Sequence, residues 1–161
     1  MQVFFKNQPT NLVGKQLELN QEFPEFKAVD INMDNFDSSI FKNKKRLVFS
    51  IPSIDTGVCE IETAKFLNYF KGKQYPVLVI SQDLPFAFKR WCAGKDNDAI
   101  TTLSDFRFHD FASKTGTLLE NIGLLTRAVF VVDENNKIVH LEYCSNVSNE
   151  PNYEEIFKFF K

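Results

Sequence analysis

Three cysteines, Cys59, Cys92 and Cys144, are the side chains best suited to covalent chemistry in this sequence. A thiol becomes a nucleophile or a metal ligand when it loses its proton, so its surroundings decide its chemistry. The sequence has no CxxC, both histidines are far from any pair of cysteines, and no glycine-rich phosphate loop is present. The cysteines therefore indicate packing or redox chemistry, and we expect neither a metal nor an organic cofactor.

Cys59 lies where a helix is expected to begin. The apolar run 47–51 predicts a buried strand, and Asp55 or Thr56 is a candidate N-cap for the helix that follows. Apolar residues recur at helical spacing from Cys59 to Phe70. The unpaired N–H groups and the dipole at a helix N-terminus stabilise a thiolate. Position alone leaves two interpretations open, a reactive thiolate and a buried cysteine that packs on the helix face.

Motifs along nearly the whole chain resemble the bacterial thiol peroxidase branch of the peroxiredoxins. Pro52 and Thr56 precede Cys59 in the order proline, three residues, threonine, two residues, cysteine, as in peroxiredoxin active sites. The matching strings are PSIDTGVC at 52–59, DLPFAFKRWC at 83–92, TLSDFR at 102–107, GLLTRAVFV at 123–131 and EPNY at 150–153. One departure is the absence of the Gln-Thr-Arg that often follows the cysteine in this branch.

The resemblance implies a role for each matching residue. It implies that Cys59 is the peroxidatic cysteine, which attacks the peroxide and becomes a sulfenic acid. It implies that Thr56 holds the thiolate and the peroxide, that Pro52 shields the site from water, and that Arg127 pairs with both reactants. It also implies that Cys92 is the resolving cysteine, which closes an intramolecular disulfide with Cys59. Since both cysteines are expected in helices, that disulfide requires local unwinding.

The implied activity is the thiol-dependent reduction of hydrogen peroxide and organic hydroperoxides, with thioredoxin as the reductant and a homodimer as the assembly. An alternative is a peroxide-sensing redox switch that signals to a protein partner. A third interpretation is a non-catalytic thioredoxin-like domain, which the intact set of site residues disfavours. Cys144 ends a predicted strand outside any motif, so we expect it to be structural or incidental.

Alternating strands and helices must position these residues. Apolar runs predict strands at 47–51, 77–81, 100–103 and 128–132, a hairpin adding 138–143, and helices after 56, from 85, over 108–115 and over 152–160. An N-terminal β-hairpin that turns at 7–10 and an irregular stretch to residue 35 precede them. This order predicts an α/β, thioredoxin-like fold with a central mixed sheet flanked by helices, in a single domain over residues 1–161.

Composition excludes several classes of protein. The chain has 161 residues, 43% of them hydrophobic and 25% charged, and a formal net charge of −2. That balance disfavours binding to nucleic acids or to anionic membranes, which requires a basic surplus. No apolar run approaches the roughly 18 residues of a membrane helix. The N-terminus lacks the pattern of an export signal, so we expect a cytoplasmic protein.

Overall fold

The computed structural model describes residues 1–161, in which ten strands and four α-helices form two sheets and their covering layers. The strands are β1 (Gln2–Phe5), β2 (Gln8–Val13), β3 (Lys27–Val29), β4 (Asn35–Asp37), β5 (Arg46–Ser50), β6 (Val77–Ser81), β7 (Thr101–Ser104), β8 (Leu118–Leu119), β9 (Ala128–Val132) and β10 (Ile138–Tyr143). The α-helices are α1 (Gly57–Phe70), α2 (Pro85–Lys95), α3 (Asp110–Thr115) and α4 (Tyr153–Phe157). A 3₁₀ helix spans Ser38–Phe41.

A seven-stranded mixed sheet runs through the centre in the order β10-β9-β5-β6-β7-β3-β4. Strand β6 pairs in parallel with both β5 and β7, whereas β9 pairs antiparallel with β5 and β10. Every residue of β5, β6 and β9 is buried. Strands covered on both faces read as continuous apolar runs, which is why these three were recognisable in the sequence.

Each face of the central sheet carries its own apolar cluster because side chains alternate along a strand. On β9, Phe130 and Val132 join the cluster that the three-stranded sheet β1-β2-β8 and helix α3 cover. Val129 and Val131 join the opposite cluster, which helices α1, α2 and α4 cover. The predicted site residues on α1 and α2 therefore share one side of the sheet.

Helix α1 packs on the sheet through one face. Its buried residues are Cys59, Glu62, Thr63, Phe66, Leu67 and Phe70, at the spacing of a single helical stripe. The ring of Phe66 lies 4.6 Å from that of Phe49 on β5 and 5.3 Å from that of Tyr153 on α4, measured between centroids. Phe66 thus joins α1 to both the sheet and the closing helix.

The predicted mixed sheet flanked by helices is confirmed, but three local predictions are wrong. The N-terminal hairpin turns at Lys6 and Asn7, both with positive φ, instead of over residues 7–10, because a two-residue turn requires that conformation. The closing helix ends at Phe157, earlier than residue 160. Part of the stretch expected to be irregular forms β3 and β4, whose three residues each are too few to show a period.

No helix in the structure is long and apolar enough to cross a membrane.

Truncating Phe66 is expected to test whether this packing holds α1 in place. Phe66→Ala should lower the free energy of unfolding by about 3–5 kcal/mol, because it empties a fully buried site between α1, β5 and α4. Denaturant titration followed by far-UV circular dichroism measures the change. Phe86→Ala is the control, since Phe86 is 63% exposed and its loss should change stability by less than about 0.5 kcal/mol.

Candidate active site

The segment between β5 and α1 is held by one carboxylate at the end of β6. Asp83 accepts hydrogen bonds from the Ser53 hydroxyl at 2.7 Å and from the Ile54 N–H at 2.8 Å. The hydroxyl of Ser81 donates to the same carboxylate at 2.7 Å. Because parallel strands β5 and β6 end at the same edge of the sheet, the carboxylate reaches this segment directly. The start of α1 is thereby fixed relative to the sheet.

Cys59 lies in the first turn of α1 and is fully buried. Thr56 occupies the N-cap position, as predicted, but its hydroxyl donates to the Ser53 carbonyl at 2.9 Å instead of capping a helical N–H. The buried Pro52 comes directly after β5, and Thr56 is exposed. The thiol therefore lies beneath a surface that these two residues help to form.

Arg127 precedes β9 and brings a buried cation to the thiol. Its Nη2 donates to Cys59 Sγ at 3.2 Å, its Nε donates to the Val147 carbonyl at 2.8 Å, and its Nη1 donates to the Glu62 carboxylate. Only 2% of its side chain is exposed. Burial opposes the guanidinium charge, but Glu62 and Cys59 outweigh it and raise the pKa of Arg127 above its ordinary value.

Glu62 is a site residue that the sequence analysis did not single out. It is fully buried on α1, its Oε2 accepts from Arg127, and its Oε1 has no hydrogen-bond partner. Burial raises the pKa of Glu62 to about 7, although the Arg127 charge acts in the opposite direction. The available signal was its position, since an acidic residue three after Cys59 falls on the buried stripe of the helix.

Three of the five predicted site residues meet at one cavity. Pro52, Thr56 and Arg127 line a cavity of about 350 Å³, beside apolar side chains that include Phe5 and Leu124. Phe5 comes from the N-terminal hairpin, so the three-stranded sheet contributes to the cavity together with the segments next to β5 and β9. We call this the thiol cavity. It places a buried cation and a hydroxyl group next to a small space with partly apolar walls.

Cys92 lies on α2 and faces a different cavity. Its sulfur accepts a hydrogen bond from Asn97 Nδ2 at 3.2 Å and lies 3.8 Å from Thr102 Oγ1. It helps to line a cavity of about 250 Å³ that shares no lining residue with the thiol cavity. Cys59 and Cys92 are both free thiols and contact the same apolar cluster. The two predicted partners are therefore not bonded to each other, and their sulfurs have different hydrogen-bond partners.

The third cysteine is placed for packing. Cys144 is buried after β10, and its Sγ lies 3.8 Å from Glu142 Oε1. Burial, together with the charges of Glu142 and Glu62, raises the pKa of the Cys144 thiol to about 12. A thiol with that pKa stays protonated near neutral pH and is a weak nucleophile, in agreement with a structural role.

Sequence comparisons agree with this arrangement of residues. A family model described as Redoxin matches residues 18–157. A thiol peroxidase from Oceanobacillus iheyensis is 44% identical over 155 residues, covering 96% of this chain and 94% of that protein. A thiol peroxidase from Staphylococcus epidermidis is 41% identical over 160 residues, covering 99% and 98%. The resemblance identified from the motifs is confirmed.

Solved structures give the same result for the fold. A peroxiredoxin-like protein from Aquifex aeolicus superposes with a TM-score of 0.91 at 34% identity, covering 98% of this chain and 94% of that one. A thiol peroxidase from Chromobacterium violaceum superposes with a TM-score of 0.89 at 19% identity over the same shares, which speaks to the fold alone. The expected thioredoxin-like architecture is confirmed.

Trp91 offers a direct test of whether the Cys92 helix moves on oxidation. The indole is buried next to Cys92, and its Nε1–H has no hydrogen-bond partner. One equivalent of peroxide should change the emission of this single tryptophan, and dithiothreitol should restore it, because unwinding exposes the indole to water. Stopped-flow fluorescence measures the change. Cys92→Ser is the control and should lose it, whereas identical emission in both redox states of the unaltered protein would contradict helix movement.

Proposed function

This chain belongs to the Redoxin family and is a thiol-dependent peroxidase, and on that premise we propose that Cys59 is its peroxidatic residue and Cys92 its resolving residue. The observation that carries the first assignment is the 3.2 Å contact between Arg127 Nη2 and Cys59 Sγ at the start of a helix. A guanidinium and helical N–H groups both favour the thiolate, which is the form that attacks a peroxide.

In the proposed first step the Cys59 thiolate attacks the terminal peroxide oxygen. The O–O bond breaks, the sulfur becomes a sulfenic acid, and the leaving oxygen takes a proton to give water or an alcohol. Negative charge grows on that oxygen as the bond breaks, and Arg127 is a donor already in place to stabilise it. The hydroxyl oxygen of Thr56, which donates to Ser53, keeps lone pairs free to accept the peroxide O–H.

The thiol cavity supports both hydrogen peroxide and organic hydroperoxides as substrates. Its volume of about 350 Å³ exceeds what hydrogen peroxide requires, and Phe5 and Leu124 offer apolar contacts to an organic substituent. Pro52, which is buried and has no N–H, limits the access of water on one side.

In the proposed second step the Cys92 thiol attacks the Cys59 sulfenic acid, releasing water and forming an intramolecular disulfide. Thioredoxin then reduces this disulfide by thiol exchange and becomes oxidised itself. A disulfide requires Cα atoms within about 7 Å, and each sulfur lies within a helix, where Cys59 accepts from Arg127 and Cys92 accepts from Asn97. Resolution by this route therefore includes local unwinding of α1, α2 or both.

The reductant, the location and the assembly are proposed from the sequence. Thioredoxin and a homodimer are proposed from the resemblance to bacterial thiol peroxidases. A cytoplasmic location agrees with the three cysteines of the sequence, which do not suggest a structural disulfide framework.

Replacing Arg127 should slow the first step. Arg127→Lys keeps a positive charge but loses the planar fork that reaches Cys59, Glu62 and Val147 together. We expect the second-order rate constant for peroxide reduction to fall about 10- to 100-fold, the equivalent of one charge-assisted hydrogen bond of about 1.5–3 kcal/mol. Rapid-mixing assays with hydrogen peroxide measure it. Arg90→Lys is the matched control, because Arg90 is exposed and pairs only with Asp55.

Cysteine variants test the whole assignment in an assay coupled to thioredoxin, thioredoxin reductase and NADPH. Cys59→Ser should abolish peroxide reduction. Cys92→Ser should consume about one equivalent of peroxide and then stall, because no internal thiol converts the sulfenic acid into a disulfide. Its Cys59 should also be more prone to oxidation to the sulfinic acid.

Cys144→Ser is the control and should leave turnover and disulfide formation unchanged, since this buried thiol is a weak nucleophile. Mass spectrometry after graded additions of peroxide identifies each product. Normal thioredoxin-dependent turnover by Cys92→Ser, or a Cys59–Cys144 bond in the unaltered protein, would overturn the resolving assignment. A single stoichiometric oxidation without turnover would favour the redox-switch alternative.

A further inference from the structure

One guanidinium faces two acidic groups in the interior of this protein. Arg127 donates to the Glu62 carboxylate through Nη1 and to Cys59 Sγ through Nη2 at 3.2 Å. Cys59 and Glu62 are fully buried, and Arg127 almost so. If both acids were ionised, two negative charges would share a single positive charge where water is excluded. Burying an uncompensated charge is costly, so the protonation of Glu62 and that of Cys59 depend on each other.

The other groups around Glu62 do not relieve this excess of negative charge. They come from β10, from the segment after it and from α4, and they are Glu142, Cys144, Glu150 and Tyr153. Two of them are carboxylates and the other two are weak acids. Lys65 forms a salt bridge at 3.0 Å with Glu150 on the exposed side of α1. Arg127 is therefore the cation on which Glu62 depends.

The surroundings of Glu62 Oε1 are a second, independent observation that favours a protonated Glu62. It is buried and accepts no hydrogen bond, although a carboxylate oxygen in this setting requires donors. A neutral carboxyl group loses much less hydration on burial than a carboxylate does. The site therefore favours a protonated Glu62 whenever the Cys59 thiolate is paired with Arg127.

From this geometry we propose that Glu62 and Cys59 share one proton across Arg127, so that the reactive thiolate exists together with a protonated Glu62. This rests on the proposed role of Cys59. The exchange is balanced, because the thiol and the carboxylate on one side become the thiolate and the carboxylic acid on the other. The three groups keep the same net charge in both forms. The raised pKa of Glu62, about 7, puts proton uptake by this carboxyl in the neutral range.

The shared proton also accounts for the proton that the reaction consumes. When the thiolate is oxidised, Arg127 loses its sulfur anion, and Glu62 takes over as the partner of the guanidinium by releasing its proton. The alkoxide or hydroxide that leaves the peroxide requires one proton. Thiolate, carboxylic acid and hydroperoxide thus give sulfenic acid, carboxylate and alcohol, with no proton taken from solvent overall. Glu62 is in this respect a positioning residue, which acts on the thiol through Arg127.

Glu62→Gln is the central test, because it keeps the shape of the side chain and removes the titrating group. The measurement uses Cys92→Ser/Cys144→Ser protein, which retains Cys59 alone, with and without Glu62→Gln. Its thiolate absorbance near 240 nm, followed against pH, should rise at lower pH when Glu62→Gln is present. Glutamine is neutral and does not compete with the sulfur for the Arg127 charge. The titration curve should therefore have the shape expected for a single titrating group. Without the substitution, the coupled pair should titrate over a broader range. Glu60→Gln is the matched control, since Glu60 lies on the same helix turn and pairs with exposed Lys95.

Proton counting gives a second readout. With one equivalent of peroxide in weakly buffered solution near pH 7, the unaltered protein should form its disulfide with little net proton uptake. Glu62→Gln should take up about one proton per disulfide, because the thiolate no longer has a protonated neighbour. A pH-indicator dye and a thiol count measure both quantities on the same sample. Equal proton uptake in the two proteins, or superimposable thiolate titrations, would overturn the proposal.

Infrared difference spectroscopy keeps the proposal testable if Glu62→Gln folds poorly. Reduced protein near pH 7 should show the C=O band of a protonated carboxyl group, and Cys59→Ser should lose it, since Arg127 then binds the Glu62 carboxylate alone. An unchanged band in Cys59→Ser contradicts the sharing of a proton. Failure of the proposed function gives a different result. If Cys59 is not the peroxidatic residue, Cys59→Ser still reduces peroxide.

Discussion

The charge of a guanidinium enclosed in the protein must be compensated and its donors must be paired, and this requirement ties the active site to the whole fold. Arg127 meets it with the Val147 carbonyl, the Glu62 carboxylate and the Cys59 sulfur. The segment that carries Val147 is held by β1, because Phe4 accepts from the Val147 N–H at 2.9 Å and donates to the Ser145 carbonyl at 2.8 Å. The N-terminal hairpin is therefore linked through two backbone hydrogen bonds to the segment whose Val147 carbonyl orients Arg127.

The same constraint explains why contacts on both sides of Cys59 hold α1 in place while the thiol is reduced. A thiolate benefits from Arg127 only if the start of α1 stays within hydrogen-bond distance of a guanidinium fixed at the edge of β9. Asp83 holds the segment before the helix, and Phe66 packs the middle of the helix against β5 and α4. Neither residue hydrogen-bonds to the sulfur, whose donor is Arg127. Each acts by limiting the positions that Cys59 can take, and such preorganisation reduces the rearrangement required when charge develops in the reaction.

The sequence predicted those features of the site that depend on residues close together in the chain. The strand and helix around Cys59 followed from apolar periodicity, and the order Pro52, Thr56, Cys59 from the motif. The contact between Arg127 and Cys59 spans 68 positions, so it came from the resemblance and no periodicity could have supplied it. Glu62 was missed because a glutamate is expected on the exposed side of a helix, and only its place in the buried stripe contradicts that expectation. The short strands β3 and β4 were missed since tertiary pairing, not local preference, forms them.

The proposed disulfide between Cys59 and Cys92 requires that part of α1 or α2 opens, since both sulfurs lie within helices. The N-cap residues of α1 and α2, Thr56 and Leu84, make no side-chain capping bond, so the first turn of each helix lacks a stabilising contact worth about 1 kcal/mol. At its other end α2 stops at Asp96, whose left-handed conformation is strained for a residue other than glycine. The ring contacts of Phe66 with Phe49 and Tyr153 lie outside these turns. In the proposed mechanism, unwinding of these turns brings the sulfurs together while the Phe66 contacts persist. It follows sulfenic acid formation, because the sulfur has then lost the negative charge that held it to Arg127.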